Sequence, residues 1–196
     1  MARPRQFDEA AALDAAVQCF WAQGYEATSV RDLAARMGIT GASLYNAFGD
    51  KRALYRRAID RYVAQSFGER ARRLEAGLPP RAAIAAFFAE MIERSLDDRE
   101  RKGCLLVNSA LESAPADPEL RRAVAAMIAE IEAFFRRCVE AGQRDGTIST
   151  AQPAEDLARL LLSVQLGLRV LARSRPERAL LEGLVRPALA LLDRPG

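Results

Sequence analysis

Residues 29–51 read SVRDLAARMGITGASLYNAFGDK. Ser29 and Asp32 have the spacing of a capping box, in which each side chain accepts a hydrogen bond from a free backbone N–H group, and this pair predicts the start of a helix. Gly38 is suited to end that helix in the left-handed conformation, and Thr40 is placed to cap a further helix. Two short helices joined by a turn of a few residues that contains glycine are typical of a helix-turn-helix.

The helix expected over residues 41–48 has two unlike faces. At about 100° per residue, Leu44 and Phe48 point the same way and are expected to pack inward. The opposite face carries Ala42, Ser43, Tyr45 and Asn46. Asparagine can pair bidentately with adenine, serine can bond a base or a phosphate, alanine can contact a thymine methyl, and tyrosine can donate to a phosphate. Gly41 would let the helix N-terminus approach a phosphate. This pattern favours a helix that reads DNA over the alternative of an ordinary solvated face.

The segments GYEATSVRDLA (residues 24–34) and MGITGASLYNAFGDK (residues 37–51) closely resemble the DNA-binding module of the TetR family of bacterial transcriptional regulators. The resemblance covers about residues 7–62. It implies DNA contacts from Thr28 or Ser29 at the start of the second helix, from the residues Thr40 to Asn46, and from Lys51 to a phosphate. Many members carry a basic residue where this chain has Gly41, and this departure bears on one phosphate contact and on operator preference but not on the binding mode.

The composition excludes several classes of protein. The 196 residues contain no histidine, which removes the Ser-His-Asp triad and any imidazole general base. Cys19, Cys104 and Cys138 are too far apart in sequence for zinc-ligand spacing, and we expect no metal and no cofactor. Unpaired cysteines without a secretory start indicate the cytoplasm, and no apolar run approaches the ~18 residues that cross a membrane. The net charge of +3 permits an anionic partner without indicating one.

The chain is predicted to be all-α, with about nine helices. A three-helix helix-turn-helix domain is expected over residues 1–50, with a connecting helix at 51–76 and a larger helical bundle at 77–196. Glycine and proline separate the helices of that bundle. Its candidate helices run over 81–98, 104–113, 118–143, 154–174 and 176–193.

The last two helices are apolar around nearly their whole circumference. A terminal helix of this kind must bury both faces, so one face packs on its own bundle and the other needs a partner. We expect a homodimer with a four-helix interface, as the resemblance also implies. The candidate interface residues are Leu161, Leu168, Leu184 and Leu191. A monomer with an enclosed core is the alternative, and Pro187 is unexpected inside the last helix. A two-fold dimer would bind double-stranded DNA at an inverted-repeat operator.

A pocket for a small organic effector is also expected in the bundle, since large apolar side chains there are interspersed with a few polar groups. The candidate residues are Phe88, Met91, Cys104, Asn108, Phe134, Gln165 and Arg169. Cys104 follows Arg101-Lys102-Gly103 near a helix start, which favours a reactive thiolate, whereas a small buried apolar residue is the alternative. The identity of the effector is not encoded in these residues.

The leading hypothesis is a ligand-responsive transcriptional repressor that acts as a homodimer and is released from DNA by its effector. Two alternatives stay open at this point. One is a helical adaptor that binds other proteins, and the other is an all-α enzyme that uses carboxylates such as Glu112.

Overall fold

The computed structural model describes residues 7–112 and 117–194. In this part of the chain there are ten α-helical stretches, two of which join through a π-helical turn, so nine helices result and the all-α prediction is confirmed. They are α1 (Glu9–Gln23), α2 (Val30–Met37), α3 (Gly41–Phe48), α4 (Lys51–Val63, the π-helical turn Ala64–Gly68, and Glu69–Gly77), α5 (Pro80–Leu96), α6 (Leu105–Glu112), α7 (Pro118–Asp145), α8 (Ala154–Ser174) and α9 (Arg178–Ala190).

Most helix boundaries lie within two or three residues of the sequence prediction, and local capping explains the differences. Asp8 caps α1 by accepting from the N–H groups of Ala10 and Ala11, so the helix begins at Glu9. Asp117 likewise caps α7 by accepting from the N–H groups of Glu119 and Leu120. The last helix begins later than predicted because Pro176 and Glu177 stay outside it.

Helices α1 to α3 and the first half of α4 share one core. Phe20 of α1 packs edge-on against Tyr55 of α4, with the ring centroids 4.7 Å apart. Leu33 of α2 and Leu44 of α3 are fully buried in the same core. The two short helices are therefore held by burial against α1 and α4, since helices of eight residues have little stability alone.

The bundle is built around five phenylalanines. Phe67 of the π-helical turn meets Phe87 and Phe134 at centroid distances of 6.0 and 5.8 Å. Phe88 and Phe135 stack on each other at 5.6 Å beside them. Because α4 contributes Phe67 to this cluster, the helix that begins in the DNA-binding module ends as part of the bundle core.

Ion pairs along its length tie α4 to its neighbours, and two groups of them lie in its first half. Near its start, Arg52 and Arg56 pair with Asp117 and Glu119 at the beginning of α7. Further along, Arg61 forms a bidentate ion pair with Asp14 of α1, in which Nε and Nη2 each donate to a carboxylate oxygen at 2.9 Å. These contacts are exposed and individually weak, but together they fix the direction of α4 against both parts of the molecule.

The connection between α7 and α8 is closed by a buried isoleucine. The Ile148 side chain lies directly on Gly142, and its backbone N–H donates to the Gly142 carbonyl at 2.9 Å. A Cβ atom at residue 142 would come within 2.5 Å of the Ile148 side chain. Glycine is required here for this close approach, not for its backbone angles.

Candidate DNA-binding surface and effector cleft

The turn between α2 and α3 has the geometry that the sequence predicts. Gly38 has φ of 67° in the left-handed region, and the backbone N–H groups of Gly38 and Ile39 donate back to the last carbonyls of α2. The Thr40 hydroxyl caps α3 by accepting from the Ser43 N–H at 3.1 Å. Ser29 and Asp32 form both hydrogen bonds of the capping box.

The face of α3 opposite the core is exposed and uncharged. Leu44 and Phe48 are buried, whereas Tyr45 is 54 % exposed and Asn46 is also exposed. Ala42 is exposed beside them and Gly41 is half-buried. A Cβ atom at Gly41 would meet nothing within 4 Å, so the missing basic side chain leaves open surface at the start of the helix.

Ser43 presents a hydroxyl that is already oriented. The Thr40 hydroxyl donates to Ser43 Oγ at 3.0 Å, which leaves the Ser43 proton free to donate outward. Ser43 is half-buried, so this proton is accessible only to a group that approaches the N-terminal end of α3. Such an arrangement suits an acceptor on a phosphate or on a base edge.

Thr28 does not contribute a side chain to this surface. It is completely buried, and its hydroxyl donates to the Gly24 carbonyl at 2.6 Å, which closes the turn between α1 and α2. The prediction of a direct DNA contact from the Thr28 side chain is therefore wrong. Ser29 is exposed, but its hydroxyl donates to the Asp32 carboxylate at 2.6 Å within the capping box.

Positive charge surrounds α3 without lying on it. The Lys51 ammonium sits 4.3 Å from the centre of the Tyr25 ring and donates to the Glu26 carbonyl, so its position is fixed beside the turn. Arg31 and Arg36 on α2 are exposed, and neither forms an ion pair within the described residues. Sequence reasoning missed these two arginines, although their free charge suits phosphate contacts.

A cleft of about 450 Å³ opens between the two parts of the molecule. Its walls come from α1, α4, the end of α5, the connection to α6, and α8. Trp21 and Tyr62 form an aromatic corner, with ring centroids 5.0 Å apart, and the Trp21 indole N–H donates to the Gly103 carbonyl at 3.2 Å. Arg169 lines this cleft, as expected for the effector pocket.

A small chamber of about 20 Å³ lies at the inner end of the cleft. Three residues predicted for the effector pocket, Cys104, Gln165 and Arg169, line this chamber together. Tyr62, Ser66 and Arg169 line both spaces, so the chamber and the cleft are adjacent and separated only by these shared side chains. Arg70, which lies in the charged stretch ERARR (residues 69–73), is only 4 % exposed and also lines the chamber.

The other four residues predicted for the effector pocket are not part of the lining of the cleft or of the chamber. Met91 and Phe134 are fully buried in the core, and Phe88 lines a separate groove beside α9. Asn108 bridges two parts of the cleft rim, since its amide donates to the Lys102 carbonyl and accepts from Arg173. The prediction is wrong for Met91 and Phe134, because large apolar side chains in a bundle fill its core before they border an open space.

The apolar residues exposed on the outer face of the last two helices are not the ones that the sequence predicts. Leu161 and Leu168 are completely buried within the protomer, so the prediction that they contact a partner is wrong. Leu184 is half-buried, and Leu191 is 52 % exposed. The exposed apolar residues of α8 are instead Leu160 and Val170, at 37 and 49 % exposure.

Within the described residues, no helix combines the length and the apolar character that crossing a bilayer requires.

Comparison with known proteins is consistent with this geometry. The model of the bacterial regulatory proteins of the tetR family matches residues 12–58, and that of a tetracyclin repressor-like C-terminal domain matches residues 80–186. The chain belongs to the TetR family. It is therefore a transcriptional regulator and not an enzyme, and it shares the family's N-terminal helix-turn-helix and C-terminal helical domain.

Several TetR-family relatives match over nearly the full length. An uncharacterized HTH-type transcriptional regulator of Bacillus subtilis, YezE, is 32 % identical over 98 % of this chain and 100 % of its own. The HTH-type transcriptional repressor ComR of Escherichia coli is 30 % identical over 95 % of this chain and 88 % of its own. A cysteine-substituted variant of the regulator CifR, solved in complex with a 26 bp double-stranded operator, is 35 % identical over 96 % of this chain and 98 % of its own, with a TM-score of 0.85.

Proposed function

We propose that this TetR-family protein is a repressor that binds a palindromic operator as a homodimer in the cytoplasm and leaves the DNA when a small organic effector occupies the cleft. In this scheme residues 1–50 form the DNA-binding domain, the helix at 51–76 connects it, and residues 77–196 form the dimerisation and effector-binding bundle. The relatives named as a repressor and as an operator complex support this assignment.

The observation that carries the DNA-binding role is the exposed, uncharged face of α3. Tyr45 and Asn46 project from a helix whose other side is locked into the core by Leu44 and Phe48. Side chains on so rigid a support keep their positions when they meet base edges, and bidentate asparagine contacts discriminate between bases by about 1–3 kcal/mol each. Around this face, Lys51, Ser43 and the two free arginines of α2 supply phosphate contacts.

The dimer interface follows from exposure and not from hydrophobicity alone. The surface of α8 at Gly167 lies against Leu184 of α9, and an antiparallel pair aligned in this way brings Leu160 and Leu191 to the same end. Leu160 and Val170 of α8 and Leu191, which directly follows α9, are the exposed large apolar side chains of this region, and we refer to them together as the apolar strip. Two copies of such a strip related by a two-fold axis make an isologous four-helix interface.

Coupling between effector and DNA runs through α4. This helix starts beside α3, lines the cleft with Tyr62 and Ser66, and ends in the phenylalanine cluster of the bundle. An effector that binds one arrangement of α4 better than another shifts the separation of the two recognition helices and so weakens DNA binding. By linkage, the effector lowers the affinity for DNA by the same factor by which DNA lowers the affinity for the effector.

The DNA-binding proposal is tested by selecting duplexes from a random-sequence library with the purified protein. We expect an inverted repeat to be enriched and to bind in a salt-dependent manner. Replacing both Tyr45 and Asn46 with alanine should weaken binding to that sequence at least 100-fold while helicity is unchanged. Gln152→Ala, an exposed polar residue far from α3, serves as the matched control. Selection that enriches no sequence, or a double variant that binds normally, would reject the proposed recognition helix.

The interface is tested by Leu160→Glu, which should convert the dimer to a monomer in light-scattering chromatography. Leu111→Glu is the matched control, because Leu111 is 70 % exposed on α6, away from the apolar strip. A Leu160→Glu variant that remains dimeric at micromolar concentration would place the interface on another surface.

A further inference from the structure

Two arginines in the chamber at the inner end of the cleft have polar atoms without partners. Arg70 is 4 % exposed, and its Nε and Nη1 are buried with no hydrogen-bond acceptor in the described structure. Nε of Arg169 is in the same condition. Oε1 of Gln165, one helical turn before Arg169, is a buried acceptor without a donor. Buried polar groups in native proteins are nearly always paired, so these four atoms without partners, on three side chains around one chamber, require an explanation.

The groups around these arginines do not neutralise them. Within the described residues, no carboxylate lies within 4 Å of either guanidinium group. Glu90, which faces Arg70, is engaged by Arg73 at 2.7 Å. Arg70 stacks over the Phe87 ring at 4.2 Å, and Arg169 reaches only Ser95 Oγ at 3.5 Å.

The electrostatic consequence is an excess of positive charge in a low-dielectric space. Burial, together with the neighbouring charges of Arg169 and Arg94, lowers the pKa of Arg70 to about 10. Arg70 therefore stays cationic at neutral pH although its surroundings disfavour the charge. The cleft outside the chamber carries Asp97 and Asp98, and the Asp98 carboxylate accepts from the Gly103 N–H at 3.1 Å. These acids lie at the rim and do not pair with the inner arginines.

We propose that the effector is a small organic carboxylate whose acid group is held by Arg70 and Arg169 while a hydroxyl or N–H group of the same molecule donates to Gln165. This assignment rests on the proposed role of the cleft as the effector site and specifies the chemistry of its ligand. The planar guanidinium groups donate in geometries that match a carboxylate, and the hydrocarbon part of the ligand fits the corner of Trp21 and Tyr62.

The size of the chamber connects ligand binding to α4. A space of about 20 Å³ holds about one water molecule, so seating a carboxylate widens it. Ser66 and Phe67, which form part of its wall, belong to the π-helical turn Ala64–Gly68. Turns of this kind interrupt regular helical hydrogen bonding and are frequent at functional sites. The part of the wall that moves is thus the π-helical turn of α4, the helix that is proposed to couple effector binding to DNA binding.

The test measures ligand binding without DNA, by thermal shift and calorimetry on the full-length protein. The probes are phenylacetate, its 2-hydroxy derivative mandelate, the amide of each acid, and inorganic phosphate, all at equal ionic strength. We expect the acids to stabilise the protein and the amides not to do so, with mandelate binding more tightly than phenylacetate. Stabilisation by phosphate alone would mean an inorganic-anion site and would overturn the assignment, as would equal effects of acids and amides.

Arg70→Met should weaken acid binding at least tenfold, because it removes the cation while keeping a side chain of similar length. Arg72→Met is the matched control, since Arg72 lies on the same helix but is exposed. If Arg70→Met does not fold, Arg169→Met provides the same comparison. Gln165→Leu should abolish the preference for mandelate. Unchanged acid binding in either arginine variant would refute the proposal. Failure of DNA selection with intact acid binding would instead reject the repressor function and leave this site standing.

Discussion

Thr28 allows the DNA-contacting residues to be separated from those that only support the turn. Its hydroxyl is completely buried and donates to the Gly24 carbonyl at 2.6 Å. Thr28→Val removes this hydroxyl and keeps the shape of the side chain. Loss of one such hydrogen bond costs about 1 kcal/mol, and the half-exposed carbonyl left without its donor brings the expected loss to about 1–2 kcal/mol.

This loss should be visible in stability and invisible in DNA affinity. For a chain of this length, about 1–2 kcal/mol corresponds to a decrease of about 2–8 °C in Tm at fixed protomer concentration. A domain with an initial stability of about 5–15 kcal/mol remains almost fully folded at 25 °C after such a loss. The Kd for the selected operator should therefore change less than twofold.

The assays are urea or thermal unfolding and fluorescence anisotropy with labelled operator DNA. Tyr45→Phe is the matched comparison, because it removes an exposed hydroxyl from α3 and should weaken DNA binding with Tm unchanged. A Thr28→Val variant that keeps its Tm but binds DNA ten times more weakly would refute the reasoning. Thr28 would then have to reach DNA in a conformation different from the one described.

Three further outcomes are expected. Gly142→Ala should lower the free energy of unfolding by about 1–3 kcal/mol, because the new methyl group overpacks against Ile148. In a double-mutant cycle, adding Ile148→Ala should recover part of this loss. A Gly142→Ala variant with unchanged stability would contradict this. The hydrogen bond from Arg61 lowers the pKa of Asp14, so this pair stabilises the protein above about pH 4 and the contribution is lost as the pH falls further. Asp14→Asn should accordingly cost less than about 1 kcal/mol in urea unfolding at pH 7, since both groups are partly exposed, and progressively less as the pH falls below about 4. Burial raises the pKa of the Cys138 thiol to about 12. Mass spectrometry should therefore find no alkylation of this thiol by iodoacetamide at pH 8 until the protein unfolds. Rapid labelling of Cys138 in the native protein would show that the thiol is not buried.

Local signals made the helix-turn-helix predictable from sequence. The capping box at Ser29, the left-handed glycine at Gly38 and the cap at Thr40 each act over three or four residues, so the pattern alone determines them. The assignment of α3 faces also held, because Leu44 and Phe48 are its only large apolar residues apart from Tyr45. The prediction of a DNA contact from the Thr28 side chain was wrong because a position one residue before the cap does not indicate which way the chain turns.

Longer-range features could not be predicted in the same way. In α8 apolar residues occupy the whole circumference, so the sequence does not distinguish the buried Leu161 from the exposed Leu160. Arg70 lies in the charged stretch ERARR, which is typical of a solvated helix, and only the convergence of α4, α7 and α8 buries it. The π-helical turn has no proline or other marker that would reveal it.

That turn also sets the rotational phase of α4. Each residue of a regular helix advances by about 100°, so a π-helical turn, which accommodates one extra residue, offsets every side chain on one side of it relative to the other. Tyr62 and Arg70 lie on opposite sides of this offset and still face the same chamber. Deleting a single residue between them would rotate the operator-facing end against the bundle by roughly a quarter of a turn. The number of residues between positions 62 and 70 therefore determines which side chains of the two halves of α4 face the same chamber.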